Sequence, residues 1–593
     1  MHKNNFLALL ILAAMSLLLL GSAWNDSATF DEVAHIPSGF GAVTQLDARL
    51  NPEHPPLVKA LSAAVAQIAV RPYFPTNTQA WQNDINGQWD QGRIFLYESG
   101  NDADKILFWS RVPVMALSLL LGVLLFWWTK KRFGRTPALA TLALYAFSPT
   151  VIAHSRYVTT DIGAALGFFI GIIAFVRFLE SPTKKNLLAA GIAFGIAQLL
   201  KFSLILLVPM YAILIMLWVF SREYQTFFER LRSAAALALK TAGVCVIGIG
   251  TIWIVYGLFT WNYPQEKQRR DAETILSNNP ARPLVEFDLA LAENRITRPL
   301  AYYGLGVLMA NQRAAGGNTT YFLGEVSSKG SRLYFPLVYL VKEPLALHIL
   351  SLAALIIAGA YSLRFFRTDS TSPYSRARRI IRMHFPEVAA LVCIGTYWGV
   401  SVISPLNIGV RHVLPTFPFI FFLIGRILGA WTEEQRARTR LLAGTAGGLL
   451  IAWLIAGTAA AFPHYLSYYN ALGGGTENGY RIAVDSNYDW GQDLKRLRDF
   501  MQERGIKKIS LDYFGGGSPR YYLGDSFEPW WSGRGPASGW FAVSATIREG
   551  AFGSVGPGFE RKPEDAYEWL KGHQPVATAG TSIFIYEFPE PHK

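Results

Sequence analysis

Long apolar runs constrain this chain more than any other feature of it. A helix that crosses a membrane needs roughly 20 apolar residues, because the hydrocarbon layer is about 30 Å thick. Such runs occupy residues 6–23, 106–128, 137–152, 162–178, 187–200, 204–220 and 241–261, then 345–363, 388–403, 413–428 and 441–462. They predict a polytopic α-helical membrane protein with about eleven transmembrane helices. Only 16% of the 593 residues are charged, against roughly a quarter in a soluble domain.

The net charge of +13 does not point to nucleic acid, because of where the basic residues lie. They cluster in alternate connections: Lys130, Lys131, Arg132 and Arg135; Lys184 and Lys185; Arg222, Arg230 and Arg232; Arg364 through Arg382; Arg426 through Arg440. The positive-inside rule makes those connections cytoplasmic. The opposite loops, 25–105 above all, are longer and rich in Asp and Glu. With Lys3 inside and an odd number of spans, the expectation is N-terminus in, C-terminus out. Cys245 and Cys393 both lie in apolar runs, which excludes a disulfide or a thiolate metal site outside the membrane. Lys3, the first run and Gly21-Ser22-Ala23 imitate a cleavable signal, but the sequence just beyond reads as functional, so the run is expected to stay as a span.

Two regions follow: residues 1–465, a transmembrane domain with a large first outer loop (25–105) and third outer loop (262–344), and residues 466–593. In the first loop Pro55 and Pro56 can open a helix, expected to lie along the membrane surface. The tail has strand-like runs at 508–514, 539–546, 576–579 and 582–588. Asp489 and Gln492 look like a capping box ahead of a helix whose Leu494, Leu497, Phe500 and Met501 share one face. A second helix is expected at 563–571. Together these predict a small, self-contained extracytoplasmic α/β domain.

Acids and bases gather on the outer side. The first loop supplies Asp31, Glu32, His35, Glu53 and His54; the second supplies His154, Arg156 and Asp161, the last at the mouth of the fourth span. Lys201, Arg411 and His412 interrupt apolar sequence at the outer ends of later spans. Taken singly, Lys201 or Arg411 reads as snorkelling to the interface and Asp161 as a helix cap. Charge at membrane depth is expensive, however, and the joint placement suits a substrate half in lipid and half in water. Its phosphate would be met by Lys and Arg, and a hydroxyl would be activated by a carboxylate base.

Several stretches carry a resemblance. FDEVAHIPSGF and NPEHPPLVKAL in the first loop, SRYVTTDIGAALGF at the fourth span, YFLGEVSSKGSRLYFPLVYLVKEPL, NIGVRHVLPTFPF and PHYLSYYNALGGGTENGYRIAVDSNYDWGQDLKRL occur in order from residue 29 to 497. In this the chain resembles the membrane glycosyltransferases of superfamily C, specifically the bacterial members of family 39, the protein O-mannosyltransferases and aminoarabinose transferases. The resemblance implies an inverting transferase of the cell (inner) membrane that uses a polyprenyl-phosphate sugar donor on the outer face and a protein or lipid/glycan acceptor. It makes Asp31 the catalytic acid of the first loop with Glu32 beside it, Asp161 a second acid, and Lys201, Arg411 and His412 the donor-phosphate residues. His154, Arg156, Glu53 and His54 become accessory; a divalent metal at Asp31 and Asp161 stays open, since members of the family differ in their need for one. The chain departs from the eukaryotic mannosyltransferases in lacking a His-x-x-Asp-x-x-Arg spacing at Asp161 and a β-trefoil repeat domain, so their acceptor does not carry over. A flippase or transporter for lipid-linked sugars, a glycan ligase, and an assembly factor docking through the tail are the alternatives.

Overall fold

The computed structural model describes residues 5–369 and 371–589; Lys3 lies outside them. Among the described residues, nine helices are long and apolar enough to cross a membrane: Phe6–Ala23, Ala103–Phe133, Asp161–Glu180, Phe202–Ser221, Phe227–Phe259, Leu345–Arg367, Phe385–Ile403, Val410–Glu434 and Ala437–Ala460. The other two expected spans are also helical but shorter. The run 137–152 is a 12-residue helix, Arg135–Ala146, followed by Pro149–His154, and 187–200 is the 17-residue helix Lys184–Leu200. The chain is a polytopic helical membrane protein.

The first loop folds back as the helices Glu32–Thr44 and Pro56–Ala69. Pro56 occupies the first turn of its helix, where the missing N–H costs nothing. Val58, Lys59, Ala60, Ser62, Ala63 and Ala66 of this helix are buried, so one side of it is held by protein. The third loop contributes the helices Gln265–Ile275, Arg282–Ala292 and Arg298–Gly316. A hairpin of β1 (Thr320–Phe322) and β2 (Glu325–Ser327) follows, and then the helix Tyr334–Lys342.

All four expected tail strands form. β3 (Ile509–Asp512), β4 (Phe527–Pro529), β5 (Gly539–Ser544), β7 (Ala577–Ala579) and β8 (Ile583–Phe588) make a five-stranded sheet in the order β4-β3-β5-β8-β7. Its centre pairs β5 with β8 antiparallel, Phe541 opposite Tyr586 and Val543 opposite Phe584. The two-residue alternation then sorts the side chains: Phe541, Val543, Phe584 and Tyr586 share one core, while Ala542, Ile583 and Ile585 pack with Leu494, Leu497 and Met501 of the helix Leu494–Arg504.

Three expectations for the tail need correction. The helix starts at Leu494 rather than after Asp489, and Asp489 is buried, accepting the Thr546 amide through Oδ2 at 2.8 Å. The stretch 563–571 is two short 3₁₀ turns, because Tyr567 between them takes a left-handed φ of 49°. Nor is the tail set apart at residue 466. Lys342 Nζ donates to the carbonyls of Leu466 and Asn487, both at 2.7 Å, and β6 (Ser554–Val555) adds parallel to β2 of the third loop. The sheet hangs on a wedge, residues 466–493, fused to the membrane part.

Asp489 is a pH-sensitive element of that wedge. Burial pushes its carboxyl up to about 7, and its Oδ1 has no hydrogen-bond partner. A raised acid favours the folded state below the ordinary value of 3.8 and gives that contribution up as pH climbs through 7. Asp489→Asn cannot ionise, so it should exceed the wild type at pH 8 by on the order of 1–3 kcal/mol and converge with it near pH 4. Thermal melts across that range measure the difference; parallel profiles would show that Asp489 does not titrate in the folded protein.

Candidate active site

The acidic pair of the first loop divides its labour by burial. Glu32 is wholly buried and its carboxylate is fully engaged. Oε1 accepts from Arg111 Nε at 2.8 Å and from the Val158 amide at 3.0 Å. Oε2 accepts from Arg111 Nη2 at 2.7 Å and from the Thr29 amide at 2.9 Å. One helical turn on, His35 Nδ1 lies 2.8 Å from the Val158 carbonyl. Glu32 and His35 thus grip both backbone groups of one residue in the second loop. Burial holds His35 down at about 4, so it is neutral at physiological pH.

Asp31 precedes that helix and stays accessible, its side chain 21% exposed. Its Oδ2 accepts from Arg411 Nη1 at 2.8 Å, and no hydrogen bond among the described residues engages Oδ1. The same Arg411 nitrogen reaches Asp161 Oδ2 at 3.4 Å, and Asp161 Oδ1 accepts from Lys201 Nζ at 2.5 Å. Asp161 opens its helix without capping it; the ion pairs take its carboxylate instead. Lys201 sits at the extended break between Lys184–Leu200 and Phe202–Leu206, which turns its side chain toward Asp161. The four residues, from four separated parts of the sequence, form one chain of alternating charge: Asp31, Arg411, Asp161, Lys201.

Arg411 is held from several sides. Its Nε donates to Ile408 O at 3.2 Å, and its guanidinium lies over the Trp490 ring, 4.2 Å from the centroid. Gly409, at φ +99°, leaves no room for a side chain because Ser486 Oγ would lie 2.4 Å from a Cβ there. Asn487 Oδ1 accepts the Val410 amide at 2.9 Å. The tail wedge therefore builds the wall of the site. Asp485 belongs to it too: burial raises its carboxyl to about 6, with Arg411 pulling it down and Asp31 pushing it up.

The remaining expected residues fall around this cluster rather than in it. Arg156 Nη1 pairs with buried Asp26 Oδ2 at 2.5 Å. Glu53 accepts from Asn86 and Gln88, which spends it on loop structure. His54 packs edge-on against His35, 4.7 Å between centroids; burial and nearby cations keep it neutral. His154 is buried against Trp490, and burial takes it down to about 3. His412 stacks on Phe335. Neither histidine has a partner for Nδ1. Asp31 and Asp161 do not fit a shared divalent ion, because Arg411 Nη1 already stands between their Oδ2 atoms and Lys201 covers the other oxygen of Asp161.

Residues outside the expected set also shape the site. Arg111 holds Glu32 and also donates to the carbonyls of Ala23, Asp26 and Ser27. Asp26 joins Arg156 and Tyr157 to Arg496 of the tail, and Arg496 continues to Asp493 at 2.7 Å. Burial would raise the Asp26 carboxyl, but Arg156, Arg496 and Arg111 together hold it below the usual range. Gly516 seals the seam: a Cβ there would lie 2.2 Å from Thr29 O, and its amide donates to Ala28 O. Arg313, exposed at the end of Arg298–Gly316, has no ion pair among the described residues. Its charge reaches both His54 and Asp485.

Residues 103–258 match the dolichyl-phosphate-mannose-protein mannosyltransferase family. Among solved structures, the protein O-mannosyltransferase Pmt1-Pmt2 complex of S. cerevisiae, bound to its sugar donor, aligns over 78% of this chain and 90% of its own at 12% identity, with a TM-score of 0.55. The chain shares the fold of that complex. ArnT of Cupriavidus metallidurans, bound to undecaprenyl phosphate, aligns over 99% of this chain and 100% of its own at 13% identity and a TM-score of 0.43. The oligosaccharyltransferase of Archaeoglobus fulgidus aligns over 86% and 61% at 13% identity and 0.41. Only the first of these scores exceeds 0.5, and the fold assignment rests on it. No curated protein matches the chain in sequence. Within this fold the acidic pair of the first loop resolves into one braced acid, Glu32, and one open acid, Asp31.

The brace is testable by stability. Arg111→Met leaves Glu32 buried and unpaired, which should cost about 3–5 kcal/mol and lower the melting temperature sharply. Glu32→Gln on top of it should recover part of the loss, since the uncompensated charge is gone. A melt of Arg111→Met unchanged from the wild type would contradict the brace.

Proposed function

We propose that the protein is a glycosyltransferase that moves a sugar from a polyprenyl-phosphate donor to a hydroxyl of a protein or lipid/glycan acceptor, on the outer face of the cell (inner) membrane. The carrying observation is Asp31 Oδ1, a carboxylate oxygen without a hydrogen bond among the described residues, at the open end of a cluster that also holds Lys201 and Arg411. The family matched by residues 103–258 is described by a dolichyl-phosphate sugar, which agrees with that donor class. The basic connections Lys130–Arg135 and Arg364–Arg382 support a cytoplasmic N-terminus and an outer tail.

In this reading Asp31 Oδ1 accepts the proton of the acceptor hydroxyl as its oxygen attacks the anomeric carbon. The bond from that carbon to the phosphate oxygen breaks on the opposite side, so the configuration inverts, and its electron pair leaves with the lipid phosphate. The growing negative charge is met by donors that the resting site leaves spare: the remaining protons of Lys201 Nζ, Arg411 Nη2 and the unpaired Arg313. Donors aimed at where charge develops stabilise the transition state more than the ground state. Asp161 touches neither reactant; it orients the two cations and is a positioning residue.

Asp31→Asn keeps the shape of the side chain and removes its basicity. Transfer from the polyprenyl-linked sugar that accumulates in cells lacking the protein should fall by about 10²–10⁴-fold, while binding of that donor persists. Transfer close to wild type by purified Asp31→Asn would move the base elsewhere in the site.

A further inference from the structure

The third loop carries a helix with more apolar surface than the protein covers. In Arg282–Ala292, Val285, Asp288 and Ala292 face inward and are buried, whereas Leu284 and Phe287 are 59% and 64% exposed. At about 100° per residue, Phe287, Leu291 and Leu284 fall within one arc of roughly 60°. That arc adjoins the buried side and lies away from Glu286 and Arg282, so the helix is apolar around a wider sector than its protein contacts need.

The turn after it sets its depth. Trp253 Nε1 donates to the carbonyl of Ile296 at 2.6 Å. Trp253 belongs to the membrane-spanning helix Phe227–Phe259 and sits roughly six residues, about 9 Å, below its end. Ile254 and Leu258 on the same stretch are exposed apolar side chains. Ile296, itself 69% exposed, is therefore held level with the apolar part of that helix. A backbone group there must find a partner within the protein, and this turn meets that demand. The indole takes the Ile296 carbonyl, Asn294 Oδ1 takes the Ile296 amide at 2.8 Å, and the Asn294 carbonyl takes the Thr297 amide at 3.2 Å.

We propose that Arg282–Ala292 and Ile296 are seated in the phospholipid bilayer at its interface, with Leu284, Phe287 and Ile296 among the acyl chains, and with Glu286, Glu293, which pairs with Arg269, and Arg295, which lies over the Trp261 ring, toward the headgroups and water. The seat continues the lipid-facing surface of Phe227–Phe259, which commits the occupant to lipid rather than to another protein. It also braces the site. The next helix, Arg298–Gly316, ties back to the span through Arg298 Nη2 and Thr260 O at 2.7 Å. It then packs against the Lys201 corner, with Tyr303 Oη donating to Gln198 at 3.0 Å and Gly306 set directly against the Phe202 ring.

Spin-label accessibility tests this on the full chain in phosphatidylcholine nanodiscs. Cys245 is replaced by Ala, and the fully buried Cys393 is left in place. Single labels go in through Phe287→Cys, Ile296→Cys, Glu286→Cys and Leu258→Cys. Labels at 287 and 296 should collide with molecular oxygen in preference to a water-soluble nickel chelate, as at 258, and the label at 286 should show the reverse. Nickel accessibility at either 287 or 296 equal to that at 286 would overturn the proposal.

Discussion

Charge cannot remain alone in a dry interior, and the contact of Arg411 with both Asp31 and Asp161 is where that constraint shapes this protein most. A lone carboxylate at the mouth of a span would shift its equilibrium toward the neutral form or draw in water. Here one guanidinium nitrogen serves two acids, at 2.8 and 3.4 Å, and Lys201 completes the balance. The cluster holds two positive and two negative side chains, so it is poised rather than strongly cationic. A phosphate approaching it competes for protons already partly shared. The same contact fixes the geometry, because Arg411 arrives on a 3₁₀ turn, Val410–Thr416, whose start is tied to Asn487 and Ser486.

A second buried network links the site to the tail. It runs from Glu32 through Arg111 to the Asp26 backbone, and from the Asp26 carboxylate through Arg496 to Asp493, which in turn accepts the amides of Thr581 and Ser582 at 3.0 Å. Breaking any member strands a charge in low dielectric, which is far more costly than losing an exposed pair. The tail sheet and the first loop are consequently one mechanical unit, and Asp31 is placed by residues more than four hundred positions away in sequence.

Much of the membrane part was legible in the sequence, because hydrocarbon thickness imposes a length that apolar runs reveal directly. The charged cluster left a trace in the sequence too: Asp161, Lys201 and Arg411 interrupt apolar sequence where charge is tolerated only for a reason. Pairing was not. Asp31 and Glu32 are adjacent acids, and only burial, which depends on Arg111 and Val158 from distant segments, tells the braced one from the open one. The metal suggested by two carboxylates gave way for the same reason, since the cation between them is Arg411. Asp489 followed by Gln492 satisfied the spacing of a capping box, but Asp489 is consumed by the Thr546 amide in the fold of the wedge. The seam at Gly516, where a backbone needs the absence of a side chain, has a sequence signal in the run Gly515-Gly516-Gly517 that nothing local interprets.

The central claim, that this cluster receives the phosphate of a lipid-linked donor opposite an open Asp31, is tested most directly by electron cryo-microscopy of the wild-type protein in nanodiscs with undecaprenyl phosphate added. The account predicts phosphate density within about 3 Å of Lys201 Nζ and Arg411 Nη2, with Asp31 Oδ1 still facing open space. Phosphate bound elsewhere, with the cluster unchanged, would contradict it.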